Sequence, residues 1–162
     1  MRSTLMVLAL GLVSTQALAG AGHAQSSMID PAHAERTIAV EAGDIWFDPE
    51  QLSVAPGEVV AFEVTNSGQL EHEFVIGSAE AQDEHRKMMR EMASGGGHGM
   101  HGDGHDMSQM HGAMEMPAVT LAPGETRTLV WQAPEQGASL TFACNIPGHF
   151  EAGMHGALSV GP

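Results

Sequence analysis

The sequence predicts an all-β domain, a sandwich or barrel of about seven short strands interrupted by one segment of different character. Two observations carry the prediction. Apolar and polar residues alternate with period two through most of residues 35–77 and 118–161. Glycine and proline turn signals separate the alternating runs, and the four-residue pattern Ala-Pro-Gly-Glu occurs twice, at Ala55-Pro56-Gly57-Glu58 and Ala122-Pro123-Gly124-Glu125. Outside the interruption at 78–117, helix should be nearly absent.

Taken in order, the chain opens on a segment that does not belong to the domain. Arg2, the apolar run Leu5 to Val13 and the small residues Ala17-Leu18-Ala19 and Gly22-His23-Ala24 read as a secretory signal peptide over 1–24. The apolar run is too short to span a bilayer, so an exported, periplasmic protein is expected. Residues 25–34 read as a flexible N-terminus. Thr37 to Ala42 alternates as a half-buried strand. Asp44-Ile45-Trp46-Phe47-Asp48-Pro49 brings bulky apolar residues to a proline turn signal, and Gln51 to Val54 is a further short strand. Val59 to Asn66 is the clearest strand, with Val60, Phe62 and Val64 on one face. Asn66-Ser67-Gly68 breaks it, and Leu70 to Ile76 resumes with His72, Phe74 and Ile76 pointing the same way.

The β pattern stops at Gly77-Ser78. Ala79 to Ala93 contains good helix formers and no glycine or proline. His85, Met88, Met89 and Met92 fall on one face of that helix and serve either as packing surface or as metal ligands. Ser94 to Met116 is low in complexity and cannot build a core. Strands return at Ala118–Leu121, Thr126–Gln132, Ser139–Cys144 and His155–Val160. The domain is thus 35–162, with 78–117 inserted into it.

Composition narrows the function. The formal net charge is −14, with 6 Lys and Arg against 20 Asp and Glu. That balance excludes charge-driven binding to nucleic acid or anionic membranes. It suits solubility, or docking to a basic partner protein. The chain has one cysteine. In an exported protein a lone thiol is free, bridged to another chain, or a ligand, and a metal bond would protect it from oxidation.

That cysteine lies in the stretch Cys144-Asn145-Ile146-Pro147-Gly148-His149, which continues to Gly153-Met154. A thiolate, an imidazole and a thioether on one loop form a soft-metal donor set. Copper alternates between soft Cu(I) and harder Cu(II), and a thiolate with two imidazoles and a weak axial thioether serves both. Cys144 supplies the thiolate, His72 and His149 complete the plane, and Met154 is the axial candidate. The alternative is ordinary packing: Cys144 as a small hydrophobe, His72 as a satisfied core histidine, Met154 as filling.

With Leu70-Glu71-His72-Glu73-Phe74 upstream and Cys144 to His149 and Gly153-Met154-His155-Gly156 downstream, the sequence resembles the cupredoxins, the type 1 blue-copper proteins. The Cys–His–Met spacing is most similar to rusticyanin and its relatives. The resemblance implies a Greek-key sandwich and the ligands His72, Cys144, His149 and Met154. It covers nearly all of the chain beyond the leader except the insertion. One departure is Glu73, where many cupredoxins carry an asparagine that braces the cysteine loop.

The insertion crowds His98, Met100, His101, His105, Met107, Met110, His111, Met114 and Met116 together. Imidazole takes Cu(II) and thioether prefers Cu(I), so a second copper-binding segment is expected, against a plain solvated linker. The expected function is copper homeostasis or tolerance in the periplasm. The alternative is soluble one-electron transfer. An enzyme is not expected. There is no His-x-His pair for a trinuclear copper centre and no second cysteine for a two-copper electron-entry centre. Oxidation of Cu(I) is the one turnover the residues leave room for.

Overall fold

A computed structural model describes residues 29–94 and 116–161. The expected signal peptide therefore lies outside the described residues. Pro31–His33 forms a single 3-10 turn where a loose stretch was expected, because the Asp30 carboxylate accepts the Ala32 N–H at 2.9 Å and Pro31 presets the backbone.

Nine strands are present among the described residues: β1 Arg36–Gly43, β2 Trp46–Asp48, β3 Gln51–Val54, β4 Val59–Asn66, β5 His72–Gly77, β6 Ala118–Leu121, β7 Thr126–Gln132, β8 Ala138–Ala143 and β9 His155–Val160. The strand not expected is β2, since Trp46–Asp48, read only as bulky apolar residues before a proline turn, pairs with β1 despite its shortness, while β3 pairs with β9. One sheet runs β2-β1-β4-β7 and the other β3-β9-β8-β5-β6. Pairing is parallel between β1 and β4 and between β3 and β9, and antiparallel elsewhere. The neighbours β1–β4, β4–β7, β3–β9 and β5–β8 are not consecutive in the chain, as a Greek-key sandwich requires.

The core lies between the sheets. Val40, Phe47, Val60, Phe62, Val64, Phe74, Ile76, Leu129, Trp131, Phe142 and Leu158 belong to one buried cluster, which also holds Cys144 and Met154. Phe74 sits at its centre, with the rings of Phe47, Phe62 and Phe142 at 5.7, 5.6 and 5.4 Å. Edge-on and tilted contacts of this kind join both sheets.

β5 departs from simple alternation. His72 through Val75 and Ile76 are all buried, although only His72, Phe74 and Ile76 face the core. The reason is the helix α1, Ala79–Ala93, which packs on β5 and β8 and covers the other face. Ser78 caps its first turn by accepting the Ala81 N–H at 3.2 Å. The buried face is Gln82, His85, Arg86 and Met89. The expected stripe is therefore displaced: His85 and Met89 are buried, Met88 is half-buried, and Met92 is exposed. Polar Gln82 and Arg86 turn inwards because backbone carbonyls and an aromatic ring await them there.

Candidate metal centre

His72 opens β5, and the loop after β8 carries Cys144, His149 and Met154. β5 and β8 are neighbours, which brings the two segments together despite their distance in sequence. The ligand atoms of His72, Cys144 and His149 all lie within 4.8 Å of one another. Cys144 Sγ is 3.3 Å from His149 Nδ1, and the two imidazole rings stand 5.2 Å apart. His72 and Cys144 are fully buried, and His149 is partly open to solvent. Met154 is fully buried in the cluster that holds Cys144.

The loop is closed by its own backbone. Cys144 N–H donates to the Met154 carbonyl at 3.1 Å, and Met154 N–H donates to the His149 carbonyl at 3.0 Å. His149 N–H donates to Ile146 at 3.0 Å, across the Pro147-Gly148 turn. Gly148 (φ 93°) and Gly153 (φ 112°) occupy the left-handed region that favours glycine. The sequence thus turns the chain back where each donor must face the others.

Electrostatics prepare the donors unequally. Burial pushes the Cys144 thiol up to about 12, against the N–H groups of Glu73 and Ile146 that favour the thiolate. Glu73 N–H points at Sγ from 3.4 Å. The departure at Glu73 therefore spares the backbone donor, because only the side chain differs from asparagine. Burial also lowers the pKa of His72, only partly opposed by its hydrogen bond to Asp44, so the neutral imidazole needed for ligation is favoured.

His72 Nε2 lies 3.3 Å from Asp44 Oδ1, whereas its buried Nδ1 has no hydrogen-bond partner. An interior ring nitrogen left without a partner costs stability, and a metal would relieve it. The donor set of one sulfur and two imidazole nitrogens suits copper in both oxidation states. The residues present therefore fit a copper ion.

A sequence model of the family described as copper binding proteins, plastocyanin/azurin family, matches residues 34–161. The chain belongs to this family. Copper is accordingly the cofactor of this cupredoxin. The chain is similar to the copper-resistant cuproprotein CopI of Pseudomonas aeruginosa, at 36% identity over 92% of this chain and 89% of that protein. It is also similar to CopI of Rubrivivax gelatinosus, at 39% identity over 81% of this chain and 70% of that protein. Among solved structures, reduced auracyanin from Roseiflexus castenholzii superposes with a TM-score of 0.58 at 22% identity, covering 78% of this chain and 97% of that one. Auracyanin A, a blue copper protein from Chloroflexus aurantiacus, gives 0.52 at 21% identity, covering 76% and 98%. At such identities the structural likeness speaks for the cupredoxin fold alone.

Of the remaining candidates, His98, Met100, His101, His105, Met107, Met110, His111 and Met114 lie outside the described residues. Met116 is buried with Val75 and Ala118 in a small second cluster, its sulfur so close to Gly77 that a Cβ there would stand 2.8 Å away. Sequence reasoning missed Asp44, Asn66, Gln82 and Asn145. Asn66 is fully buried and holds the approach to His72, donating to the Leu70 and Leu121 carbonyls at 2.8 and 3.0 Å. The Asn66-Ser67-Gly68 signature marked this turn but gave no hint of that bracing role.

Proposed function

We propose that this cupredoxin is a periplasmic copper-handling protein, holding copper through His72, Cys144, His149 and Met154 and serving copper tolerance. The observation that carries the reading is the convergence of one thiol and two imidazoles within 4.8 Å at the end of a closed sandwich. The likeness to copper-resistant cuproproteins supports the tolerance role. Bound there, copper supplies a Cu(II)/Cu(I) couple. The chain supplies the rest. Cys144 gives up its proton to ligate, Asp44 keeps the His72 ring turned with Nδ1 inwards, and the sandwich keeps water from the thiolate. Export to the periplasm rests on the charged, apolar and small-residue pattern of 1–24.

The test is addition of Cu(II) to the purified protein. An intense thiolate-to-copper band in the visible is expected, and Cys144→Ser should abolish it. A colourless wild type, or a Cys144→Ser protein that keeps the band, sinks the assignment. The His/Met segment is proposed to bind further copper, capturing or buffering ions. Deletion of 95–115, which keeps the packed Met116, should lower copper stoichiometry and leave the colour intact. Unchanged stoichiometry counts against this binding.

Soluble one-electron transfer is the second reading, favoured by His149, the one imidazole of the set open to solvent. A deletion strain separates the two. Copper sensitivity with intact respiration supports tolerance, and lost respiratory electron flow with normal tolerance supports electron transfer. No turnover is proposed, and oxygen consumption on addition of Cu(I) is the measurement that would overturn this.

A further inference from the structure

The residues that immediately follow His72, Cys144 and His149 are Glu73, Asn145 and Phe150. Each of them meets the same helix. Glu73 Oε2 lies 3.6 Å from His85 Nε2, both side chains being fully buried. Asn145 Nδ2 donates to Gln82 Oε1 at 2.8 Å, also in the interior. The Arg86 guanidinium lies 3.6 Å from the centroid of the Phe150 ring, which also stacks on His155 at 4.5 Å. One turn further, Arg90 pairs with Glu151 at 3.1 Å.

Gln82, Arg86 and Arg90 are spaced by four and so form one row along α1. That row runs over residues 145–151, while His85 takes the adjacent row above β5. Gln82 is the tightest joint. Its carboxamide oxygen takes Asn145, and its nitrogen donates to the Val75 carbonyl at 2.9 Å and the Thr141 carbonyl at 3.0 Å. One side chain thereby ties β5, β8 and the metal loop. The Gln82 carboxamide is bonded through both its oxygen and its nitrogen in the interior, and its loss would leave those buried partners stranded.

We infer that α1 belongs to the frame of the metal centre, with Gln82, His85 and Arg86 as positioning residues that fix the chain just after each of three ligands. The role is separate from any copper binding by the His/Met segment that follows the helix in sequence. It rests on the ligand set proposed above. A brace for the cysteine loop is supplied here from outside the sandwich, through Asn145 and Gln82.

The test uses the full-length mature chain loaded with Cu(II). Gln82→Leu, Asn145→Ala and Arg86→Met are compared with wild type and with Lys87→Ala, a control on the exposed side of the helix. Melting of the metal-free forms serves as the fold control. Gln82→Leu and Asn145→Ala should each speed copper release and weaken Cu(II) binding by about tenfold, with a changed intensity ratio of the thiolate-to-copper bands. Their double variant should be no worse than the poorer single one, since both break the same joint. Arg86→Met should shift the bands in the same sense without touching that joint, and Lys87→Ala should match wild type. Should Gln82→Leu not fold, Asn145→Ala and Arg86→Met decide, because both keep the Gln82 bonds to β5 and β8. Variants that fold and keep the wild-type bands and copper release overturn the inference. A wild type that takes up no copper at Cys144 overturns the centre itself.

Discussion

Asp44 decides what His72 can do. Its carboxylate accepts the N–H groups of Gln69 at 2.9 Å and Leu70 at 3.1 Å while meeting the imidazole at 3.3 Å. The Leu70 N–H chiefly, with Gln69 and His72 adding, holds this carboxyl below its ordinary value against the opposing effect of burial. An ionised Asp44 fixes the tautomer with Nδ1 unprotonated and raises the basicity of the ring. Asp44→Ala should therefore weaken copper binding by roughly tenfold or more, with Asp44→Asn in between because an amide oxygen can still accept. Equilibrium copper competition reads this directly, and wild-type affinity in Asp44→Ala would show that packing alone orients the ring. Sequence reasoning named Cys144, His149 and Met154 as candidates because donor types and spacing on one loop are local properties of the chain, and His72 because it opens the strand after the Asn66-Ser67-Gly68 turn. Asp44, Gln82 and Asn145 escaped because each acts across the fold, and nothing near them in sequence announces a partner 28 or 63 residues away.

At the scale of elements, the repeated Ala-Pro-Gly-Glu turns prove to be the same device twice. Glu58 and Glu125 each fold back to accept the N–H of the alanine three residues earlier, at 2.7 and 2.9 Å. Gly57 (φ 74°) and Gly124 (φ 77°) take the left-handed position. Each glutamate also meets an arginine: Arg36 at 2.8 Å for Glu58, and Arg127 at 2.7 Å for Glu125. The Arg36 bond above all holds the Glu58 carboxyl below its usual value, and the Ala122 N–H above all does so for Glu125. A lowered pKa means that the unfolded chain binds protons more readily. The stability these groups add is present above the ordinary glutamate value and is lost as pH falls through the lowered one. Denaturant midpoints measured from about pH 5 down to about pH 3 should fall, and Glu58→Gln with Glu125→Gln should flatten the slope. An unchanged slope would place the acid sensitivity elsewhere. Strand and helix bounds were legible because alternation, capping and turn chemistry are written locally; α1 starts and stops where its composition says. Its orientation was not legible, because methionines suggested one face and the carbonyls of β5 and β8 selected another.

For the whole molecule, the aromatic centre of the sandwich shares one buried cluster with Cys144 and Met154 but is held together by its own ring contacts. Phe47, Phe62, Phe74 and Phe142 contact one another from both sheets without involving His72 or His149. Metal-free protein should therefore unfold in one cooperative transition, and copper should raise its midpoint by mass action. Phe74→Ala should cost about 3–5 kcal/mol in that metal-free form. A metal-free chain lacking a cooperative transition in calorimetry would show instead that copper completes the fold. The pairing of β5 with β8 has a consequence in time. A growing chain presents His72 long before Cys144 has been made, and the two remain strangers until β8 zips onto β5. An unfolded chain can offer a copper ion the local donors Cys144, His149 and Met154 without His72. The full donor set, with His72 beside that loop, assembles only when the seam closes.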